Sequence, residues 1–202
     1  MEQNQPQPPV FNQPQQPAAP QYQPRVTAQP MMDPVTAVKT CFKKYFDFTG
    51  RARRSEFWWF MLFVIIVSSV FSYGGLLFPA LSYVGMLCSL VLLIPQFSAL
   101  TRRLHDTGRS GWWALVLAIF YVIMLGTLAY VLAPIAMKMN DVTDTFAQAQ
   151  MFADAIQAAP IAATVMYSSS LAAIVLGLIV FVFTLLDSNW NENKYGPSPK
   201  YQ

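Results

Sequence analysis

Charged residues are scarce in this chain, and their absence is concentrated in long stretches. Only 11% of its 202 residues are Asp, Glu, Lys or Arg, whereas soluble domains average about 25%. Segments 57–100 and 112–137 contain none of these residues. A soluble fold has no means of burying so much uncharged chain in so small a protein, so the sequence predicts an integral membrane protein.

Histidine and cysteine are nearly absent as well. The single histidine, His105, and the two cysteines, Cys41 and Cys88, form no CxxC, HExxH or Cys/His cluster. We therefore expect no metal site and no cofactor, because zinc sites combine several such ligands. Cys88 lies within an apolar stretch and Cys41 lies outside it, so the two cysteines are expected to remain unpaired.

The first 34 residues lack the apolar core that a cleavable signal peptide needs. They contain nine Pro and nine Gln with almost no charge. Such a composition buries too little apolar surface to offset the entropy lost on ordering. The sequence predicts a disordered Pro/Gln-rich N-terminal tail over 1–34 and a membrane domain over 35–202. Two roles for the tail stay open, a plain tether and a docking strand for a partner.

Four apolar stretches are long enough to cross a bilayer, which takes about 20 helical residues. They are predicted at about 57–77, 79–100, 112–136 and 161–186. A juxtamembrane amphipathic helix is expected over 35–47, because apolar side chains at helical spacing lie opposite three lysines. Loose helical spacing over 140–160 agrees with a short interfacial helix. The predicted fold class is an all-α integral membrane protein, a bundle of four transmembrane helices.

Basic residues are distributed unevenly on the two sides of these spans. Twelve of them precede the first span, lie between the second and third spans, or follow the fourth, whereas only Lys138 follows the third. The positive-inside rule therefore predicts that both termini and the middle loop are cytoplasmic. Every basic cluster flanks a span, so none of them requires a nucleic-acid partner.

The segment RRLHDTGRSGWW, residues 102–113, is a charged island between two uncharged spans. Guanidinium groups bind phosphates and carboxylates through paired hydrogen bonds, so an anionic phospholipid headgroup is the ligand that this chemistry favours. The residues predicted to form a ligand-binding rim are Arg53, Arg54, Arg102, Arg103, His105, Asp106 and Arg109. The residues expected to anchor the chain at the membrane interface are Trp58, Trp59, Trp112 and Trp113.

Acidic residues of the rim are expected to pair with arginines. Glu56 is predicted to pair with a nearby arginine, since an unpaired carboxylate at that depth is costly. If the second span continues as a helix, Arg102 and Asp106 lie four residues apart and face each other. His105 beside Asp106 could form an oriented imidazole, but the sequence specifies no nucleophile or metal to act with it.

Three functions fit these features. The favoured one is a non-enzymatic membrane module whose cytoplasmic rim binds anionic lipid headgroups or a protein partner, with a homo-oligomer left open. The second is a small transporter or channel, which is disfavoured because the spans carry no ionisable residue at mid-depth. The third is a lipid-modifying membrane enzyme that uses His105 as a base.

Three segments carry a resemblance to a known family. They are FDFTGRARRSEFWWF (46–60), RRLHDTGRSGWW (102–113) and NKYGPSPK (193–200). They resemble the bacterial family called domain of unknown function 805, the small YhaH-like inner-membrane proteins. The resemblance covers roughly residues 35–200 and implies a compact multi-helix module in the bacterial inner (plasma) membrane, with no assigned activity. The signature residues in this chain are Gly50, Arg51, Arg54, Glu56, Trp58, Arg102, Arg103, Leu104, His105, Asp106, Ser110, Gly111, Trp112, Asn193, Tyr195, Gly196 and Pro197.

The chain departs from many family members in two places. The interval between the SGWW element and the tail is long enough for two spans and an external segment, whereas many members have room for about one span. The lead-in to the tail reads Asp187-Ser188-Asn189-Trp190 instead of Gly-Thr. The resemblance therefore leaves open the side of the membrane on which the tail lies and its contacts with the middle loop.

Overall fold

A computed structural model describes residues 27–135 and 144–201. Within these ranges the chain forms six helices: α1 (Pro34–Lys43), α2 (Arg54–Leu77), α3 (Ala80–Asp106), α4 (Trp112–Leu132), α5 (Thr145–Ala158) and α6 (Pro160–Leu185). The helices α2, α3, α4 and α6 are long and apolar enough to cross a membrane. This architecture confirms the predicted all-α, four-span fold class. Residues 1–26 of the predicted tail lie outside the described residues.

The four spans form two helical hairpins. Helix α2 packs along α3, and α4 packs along α6. The hairpins meet at one end, where Leu104 of α3 packs with Ala114 of α4 and Val180 of α6. Trp58 of α2 contacts Phe181 of α6 edge-to-face, with ring centroids 5.7 Å apart. We call this the signature end, because the start of α2, the α3–α4 loop and the C-terminal tail after α6 all lie there.

The predicted amphipathic helix is present as α1, which ends at Lys43 rather than at residue 47. Its buried residues are Ala37 and Cys41, and it packs against both α2 and α3. The hydroxyl of Ser98 in α3 donates to the carbonyl of Lys44 at 2.8 Å. Carbonyls at helix C-termini lack helical partners, so this bond satisfies the end of α1 and ties it to α3.

Pro95 lies inside α3, which extends six residues beyond the predicted end of the second span at residue 100. A proline has no N–H, so the carbonyl of Val91, one turn earlier, loses its helical partner. The phenolic hydroxyl of Tyr45 donates a hydrogen bond to that carbonyl. The bond satisfies a main-chain group within a span, where unpaired groups are costly. The helix α3 continues past Pro95 as far as Asp106.

The described residues of the long interval before the tail form α4, α5 and α6. Helix α5 matches the short helix that the pattern over 140–160 indicated. Helix α6 buries Ala163, Ser169 and Ala173 and makes its largest interface with α4. Small side chains let helix backbones approach closely in lipid, which suits the long contact between α6 and α4. The opposite face of α6 is exposed, with Leu171, Ile174 and Leu178 open along it, so this span does not lie inside the bundle.

Residues 27–33 fall inside the predicted tail but contact the C-terminal segment. Ala28 forms an antiparallel bridge with Tyr201, and the Gln29 N–H donates to the carbonyl of Lys200 at 2.8 Å. This pairing places both ends of the described chain at the signature end. Ala28 and Gln29 therefore make contacts within the fold although they precede the predicted boundary at residue 35.

Candidate functional site

Asp106, the last residue of α3, is the centre of a buried ionic network. Its Oδ1 accepts a hydrogen bond from Arg51 Nε at 2.9 Å, and its Oδ2 accepts one from Arg103 Nη1 at 2.5 Å. The Ser188 hydroxyl donates to the same Oδ2, also at 2.5 Å. All four residues are buried. The network therefore joins the segment before α2, the end of α3 and the tail after α6.

The partner of Arg102 is Glu56 and not Asp106. Arg102 Nη1 donates to Glu56 Oε1, which confirms that Glu56 pairs with an arginine and corrects the expected pairing of Asp106. Arg103 lies three residues before Asp106 and reaches it along the same face of the helix. Arg51 binds the other carboxylate oxygen of Asp106. Arg102 pairs instead with Glu56, across the interface between α3 and α2.

Cys41 lies against this second ion pair. Its Sγ is 4.0 Å from both Glu56 Oε1 and Arg102 Nη2. Burial, together with the neighbouring charge of Glu56, raises the pKa of the Cys41 thiol to about 11. The thiol therefore stays protonated at neutral pH and packs as a small apolar group.

Main-chain carbonyls at the end of α6 and in the tail accept hydrogen bonds from Arg103 and Arg51. Arg103 donates to the carbonyl of Thr184 from Nε at 3.2 Å and from Nη2 at 3.1 Å, and Nη2 also donates to the carbonyl of Leu186. These carbonyls lie at the C-terminal end of α6, where helical partners are missing and cations are favoured. Arg51 Nη1 donates to the carbonyl of Asn191 at 3.0 Å. The two arginines thus hold the tail on the signature end.

His105 contacts the tail and not the carboxylate of Asp106, which corrects the expected His–Asp arrangement. Its ring stacks on Tyr195 with centroids 3.6 Å apart and an interplanar angle of 5°. Its Nδ1 lies 3.2 Å from the carbonyl oxygen of Gly50, and Asn193 Nδ2 donates to the His105 carbonyl at 2.9 Å. With only 8% of the residue exposed, the imidazole serves as a packing element beneath the tail.

Two glycines of the α3–α4 loop permit this close packing. Gly108 has a φ of +77°, and a Cβ there would lie 2.9 Å from Asn189 Nδ2. A Cβ on Gly111 would meet Thr101 Cγ2 at 2.7 Å and His105 Nε2 at 3.3 Å. The loop sequence TGRSG therefore matches the shape that the tail and α3 leave for it.

Arg53 and Arg54 remain accessible, in contrast to the buried arginines. Arg54 is exposed and donates from Nε to the carbonyl of Leu186 at 3.0 Å. Arg53 is half-buried and donates to the carbonyl of Pro30 at 3.3 Å and to the side chain of Gln29. Both arginines line a cavity of about 250 Å³, which we call the cleft. The other residues that line the cleft are Gln29, Pro30, Met31, Ser55, Asp187, Ser188 and Lys200.

An exposed ion pair lies at the edge of the cleft. Lys200 Nζ donates to the two carboxylate oxygens of Asp187 at 2.8 and 2.7 Å. This hydrogen bond lowers the pKa of Asp187 and raises the pKa of Lys200, so both groups are charged around neutral pH. The cleft thus combines three cationic side chains with one carboxylate, and its excess of positive charge suits an anionic guest.

Arg109 and the tryptophans lie around the signature end. The Arg109 guanidinium carbon is 3.8 Å from the centroid of the Phe183 ring, a cation–π contact. Trp113 meets the same ring edge-to-face at 5.4 Å, and Trp112 is exposed. The half-buried pair is Trp58 and Trp59. The four positions lie at span borders, and their role as interface anchors stays a prediction.

The predicted ligand-binding rim therefore divides into two parts. Arg102, Arg103, His105 and Asp106 are buried and occupied by partners within the protein. Arg53 and Arg54 line the cleft at the outer edge, and Arg109 lies on the Phe183 ring. Among the described residues, no group of three or more His, Cys, Asp or Glu side chains could hold a metal ion.

Sequence reasoning did not assign Arg51, Asp187 or Lys200 to the site. Arg51 was visible only as a signature residue of the resembling family. Its contact with the carbonyl of Asn189 spans 138 positions of the chain, and the ion pair between Lys200 and Asp187 depends on the fold of the tail. Neither the periodicity nor the spacing of the sequence carries a signal for such contacts.

Comparison of the sequence with known families assigns the chain to one of them. The family described as "Protein of unknown function (DUF805)" matches residues 45–197, which is more than half of the chain. This chain belongs to the DUF805 family. The match spans the start of α2, the α3–α4 loop and the tail, the segments that the buried network joins. No solved structure matches the chain.

Three DUF805-like relatives come from Escherichia coli (strain K12). Inner membrane protein YhaI is 42% identical over 87 residues, which are 43% of this chain and 71% of the relative. Inner membrane protein YhaH is 40% identical over 88 residues, 40% of this chain and 70% of the relative. Uncharacterized protein YiiR is 33% identical over 85 residues, 42% of this chain and 58% of the relative. With its four apolar spans, this chain is an integral membrane protein similar to proteins of the inner membrane.

Proposed function

We propose that this protein is a non-enzymatic module of the inner membrane that binds anionic lipid headgroups in the cleft, on the cytoplasmic face. The observation that carries the proposal is the exposed guanidinium of Arg54. It donates from Nε to Leu186, and its two terminal nitrogens have no partner among the described residues. A planar guanidinium with free terminal N–H groups suits a phosphate, which it can bind with two parallel hydrogen bonds.

The position of the cleft favours a lipid over a soluble anion. Arg53 and Arg54 lie where the chain enters the α2 span, so their charges fall at the depth of phospholipid headgroups. Each basic residue near an anionic leaflet contributes about 1 kcal/mol of attraction. The exposed Trp112 at the same end of the bundle suits an interface between lipid and water.

The enzyme and transport alternatives find less support. The ring of His105 is stacked beneath the tail and offers no open face to a lipid substrate. Segments 57–100, 112–135 and 161–186 contain no Asp, Glu, Lys or Arg, whereas intramembrane charges commonly mark ion and substrate routes. Binding at the accessible arginines requires neither a buried base nor a charged pathway.

The direct test is lipid binding by the purified protein in phosphatidylcholine nanodiscs that carry a minor fraction of phosphatidylglycerol. Mass spectrometry of retained lipid should show enrichment of phosphatidylglycerol by the wild type. Arg53→Gln/Arg54→Gln should lower that enrichment about tenfold or more, since one hydrogen bond to a charged group contributes about 1.5–3 kcal/mol. The matched control, Lys43→Gln/Lys44→Gln, removes two charges from the end of α1 and leaves the cleft intact.

If phosphatidylglycerol enrichment falls equally in the two double variants, the attraction is diffuse electrostatics and the proposal of a specific site is wrong. A stable protein that co-purifies with the wild type and is lost from Arg53→Gln/Arg54→Gln, without any lipid enrichment, would favour the protein-partner alternative. Asp187→Asn provides a test in the opposite direction. It removes the carboxylate that neutralises Lys200, so phosphatidylglycerol enrichment should increase.

A further inference from the structure

An apolar groove lies between α1 and the first turns of α2. It encloses about 430 Å³, and the residues that line it are Pro34, Val35, Val38, Lys39, Trp59, Leu62, Phe63 and Ile66. Lys39 is the one charged side chain among them. Val35, Leu62 and Ile66 are all exposed, so the groove is open along its side. The walls of the groove are two helices, whose main-chain N–H and C=O groups are already hydrogen-bonded. An extended peptide would therefore find no main-chain partners there.

The cleft and the groove lie one after the other along one face of α2, on either side of the segment that runs from Met31 to Pro34. Ser55 lines the cleft, and Trp59, Leu62 and Ile66 line the groove. These positions follow the spacing of a single helical face. At 1.5 Å per residue, the stretch from Ser55 to Ile66 covers about 16 Å, similar to half of a bilayer core about 30 Å thick.

The segment that separates cleft and groove is held against α2. The Met32 N–H donates to the Ser55 hydroxyl at 3.2 Å. Met31 lines the cleft and Pro34 lines the groove, so this short segment is a wall of both. A single elongated molecule could therefore place a polar end in the cleft and an apolar end in the groove.

We infer that the groove holds an acyl chain of the anionic phospholipid whose headgroup occupies the cleft. The inference rests on the function proposed above and adds the recognition of the lipid chain. Helix α2 begins at the cationic cleft and runs into its apolar span, which is the order of headgroup and chain in a bilayer lipid. Lys39 adds a cation beside the groove and strengthens the preference for an anionic lipid.

The test uses phosphatidylglycerol with a photoreactive diazirine in the middle of one acyl chain, in phosphatidylcholine nanodiscs. A parallel sample uses phosphatidylcholine with the same diazirine. Mass spectrometry should find that phosphatidylglycerol labels Trp59, Leu62 and Ile66 about tenfold more than Leu90, an exposed residue of α3. The phosphatidylcholine probe should label the groove and Leu90 to similar extents.

Two variants fill the groove from opposite walls, Leu62→Trp from α2 and Val35→Trp from α1. Both should reduce labelling of the rest of the groove about tenfold, while the control Leu90→Trp leaves it unchanged. Each variant is compared with the wild type by thermal unfolding in detergent. Since the two positions are exposed, a larger side chain there does not disturb a packed core, and at least one variant is expected to fold normally.

The possible outcomes distinguish a failure of the inference about the groove from a failure of the function proposed for the cleft. Uniform labelling around the four spans overturns the inference, and it leaves the proposed function standing if Arg53→Gln/Arg54→Gln still abolishes phosphatidylglycerol enrichment. Equal labelling of the groove by both probes also overturns the inference, because the chain then enters without selection of its headgroup. If the wild type itself does not enrich phosphatidylglycerol, both the proposed function and the inference are wrong.

Discussion

Neutralising Asp106 is the single change that we expect to damage this protein most. Removing one partner of a buried ion pair costs about 3–5 kcal/mol, because the remaining charge stays in a low-dielectric interior. The Asp106 carboxylate serves two buried arginines, Arg51 and Arg103, at 2.9 and 2.5 Å. We therefore expect Asp106→Asn to lower the free energy of unfolding by about 5 kcal/mol, the upper end of that range. This loss is a large share of a typical total of about 5–15 kcal/mol.

The assay is unfolding in mixed detergent micelles with increasing sodium dodecyl sulfate, followed by tryptophan fluorescence. Limited proteolysis should also show faster cleavage of the tail in Asp106→Asn, because Arg51 and Arg103 hold the tail through the carbonyls of Asn191 and Leu186. The matched control is Asp187→Asn, which removes an exposed pair and should cost less than about 1 kcal/mol. If the two variants are equally stable, the buried network does not organise the signature end and the reasoning is refuted.

A milder change gives a graded check if Asp106→Asn does not accumulate. Ser188→Ala removes one hydrogen bond to the Asp106 carboxylate and leaves both ion pairs in place. Hydrogen bonds to charged groups contribute about 1.5–3 kcal/mol. The variant should therefore be destabilised by an intermediate amount, with a corresponding increase in tail cleavage.

Three further predictions follow from the contacts of the site. Glu56→Gln should destabilise the protein by about 3–5 kcal/mol, whereas Glu56→Leu combined with Arg102→Met should recover most of that loss, since apolar replacement of a buried pair is often neutral. At pH 8, Cys41 should react with iodoacetamide about a hundredfold more slowly than a thiol of pKa 9.0, because its pKa of about 11 leaves little thiolate. The ion pair between Lys200 and Asp187 stabilises the tail fully between pH 3.8 and pH 10.5, the ordinary pKa values of the two groups. This stabilisation is lost as the pH falls through the lowered pKa of Asp187 or rises through the raised pKa of Lys200. Hydrogen exchange of the tail should report both changes, and Asp187→Asn should remove them.

Each of these predictions has its own control. Thr36→Cys in a Cys41→Ser background places a thiol on the exposed face of α1, and equally fast labelling of Cys41 and this exposed thiol would contradict the burial argument. If the Glu56/Arg102 double variant is as unstable as Glu56→Gln, the cost comes from lost packing and not from an unpaired charge. A tail whose exchange does not change with pH would show that the exposed pair contributes no measurable stability.

The four spans and the amphipathic helix α1 could be predicted from the sequence alone. A run of about 20 residues without charge has few alternatives to a membrane span, and the opposed apolar and basic residues of α1 specified an amphipathic helix. The pairing of Glu56 with an arginine was also predictable, because the cost of burying a lone carboxylate does not depend on which arginine pairs with it. The signature segments identified the family that the later comparison assigned.

Only the tertiary structure decided which charged groups are buried and which remain open to a ligand. Arg53, Arg54, Arg102 and Arg103 are the same residue type in two similar sequence pairs, yet the first pair lines a cleft and the second lies inside the protein. The difference arises because the end of α6 and the tail that follows it lie over the end of α3 and supply the carbonyls of Thr184 and Leu186 to Arg103. Such contacts depend on where helices distant in sequence place their ends, and local periodicity carries no information about that placement.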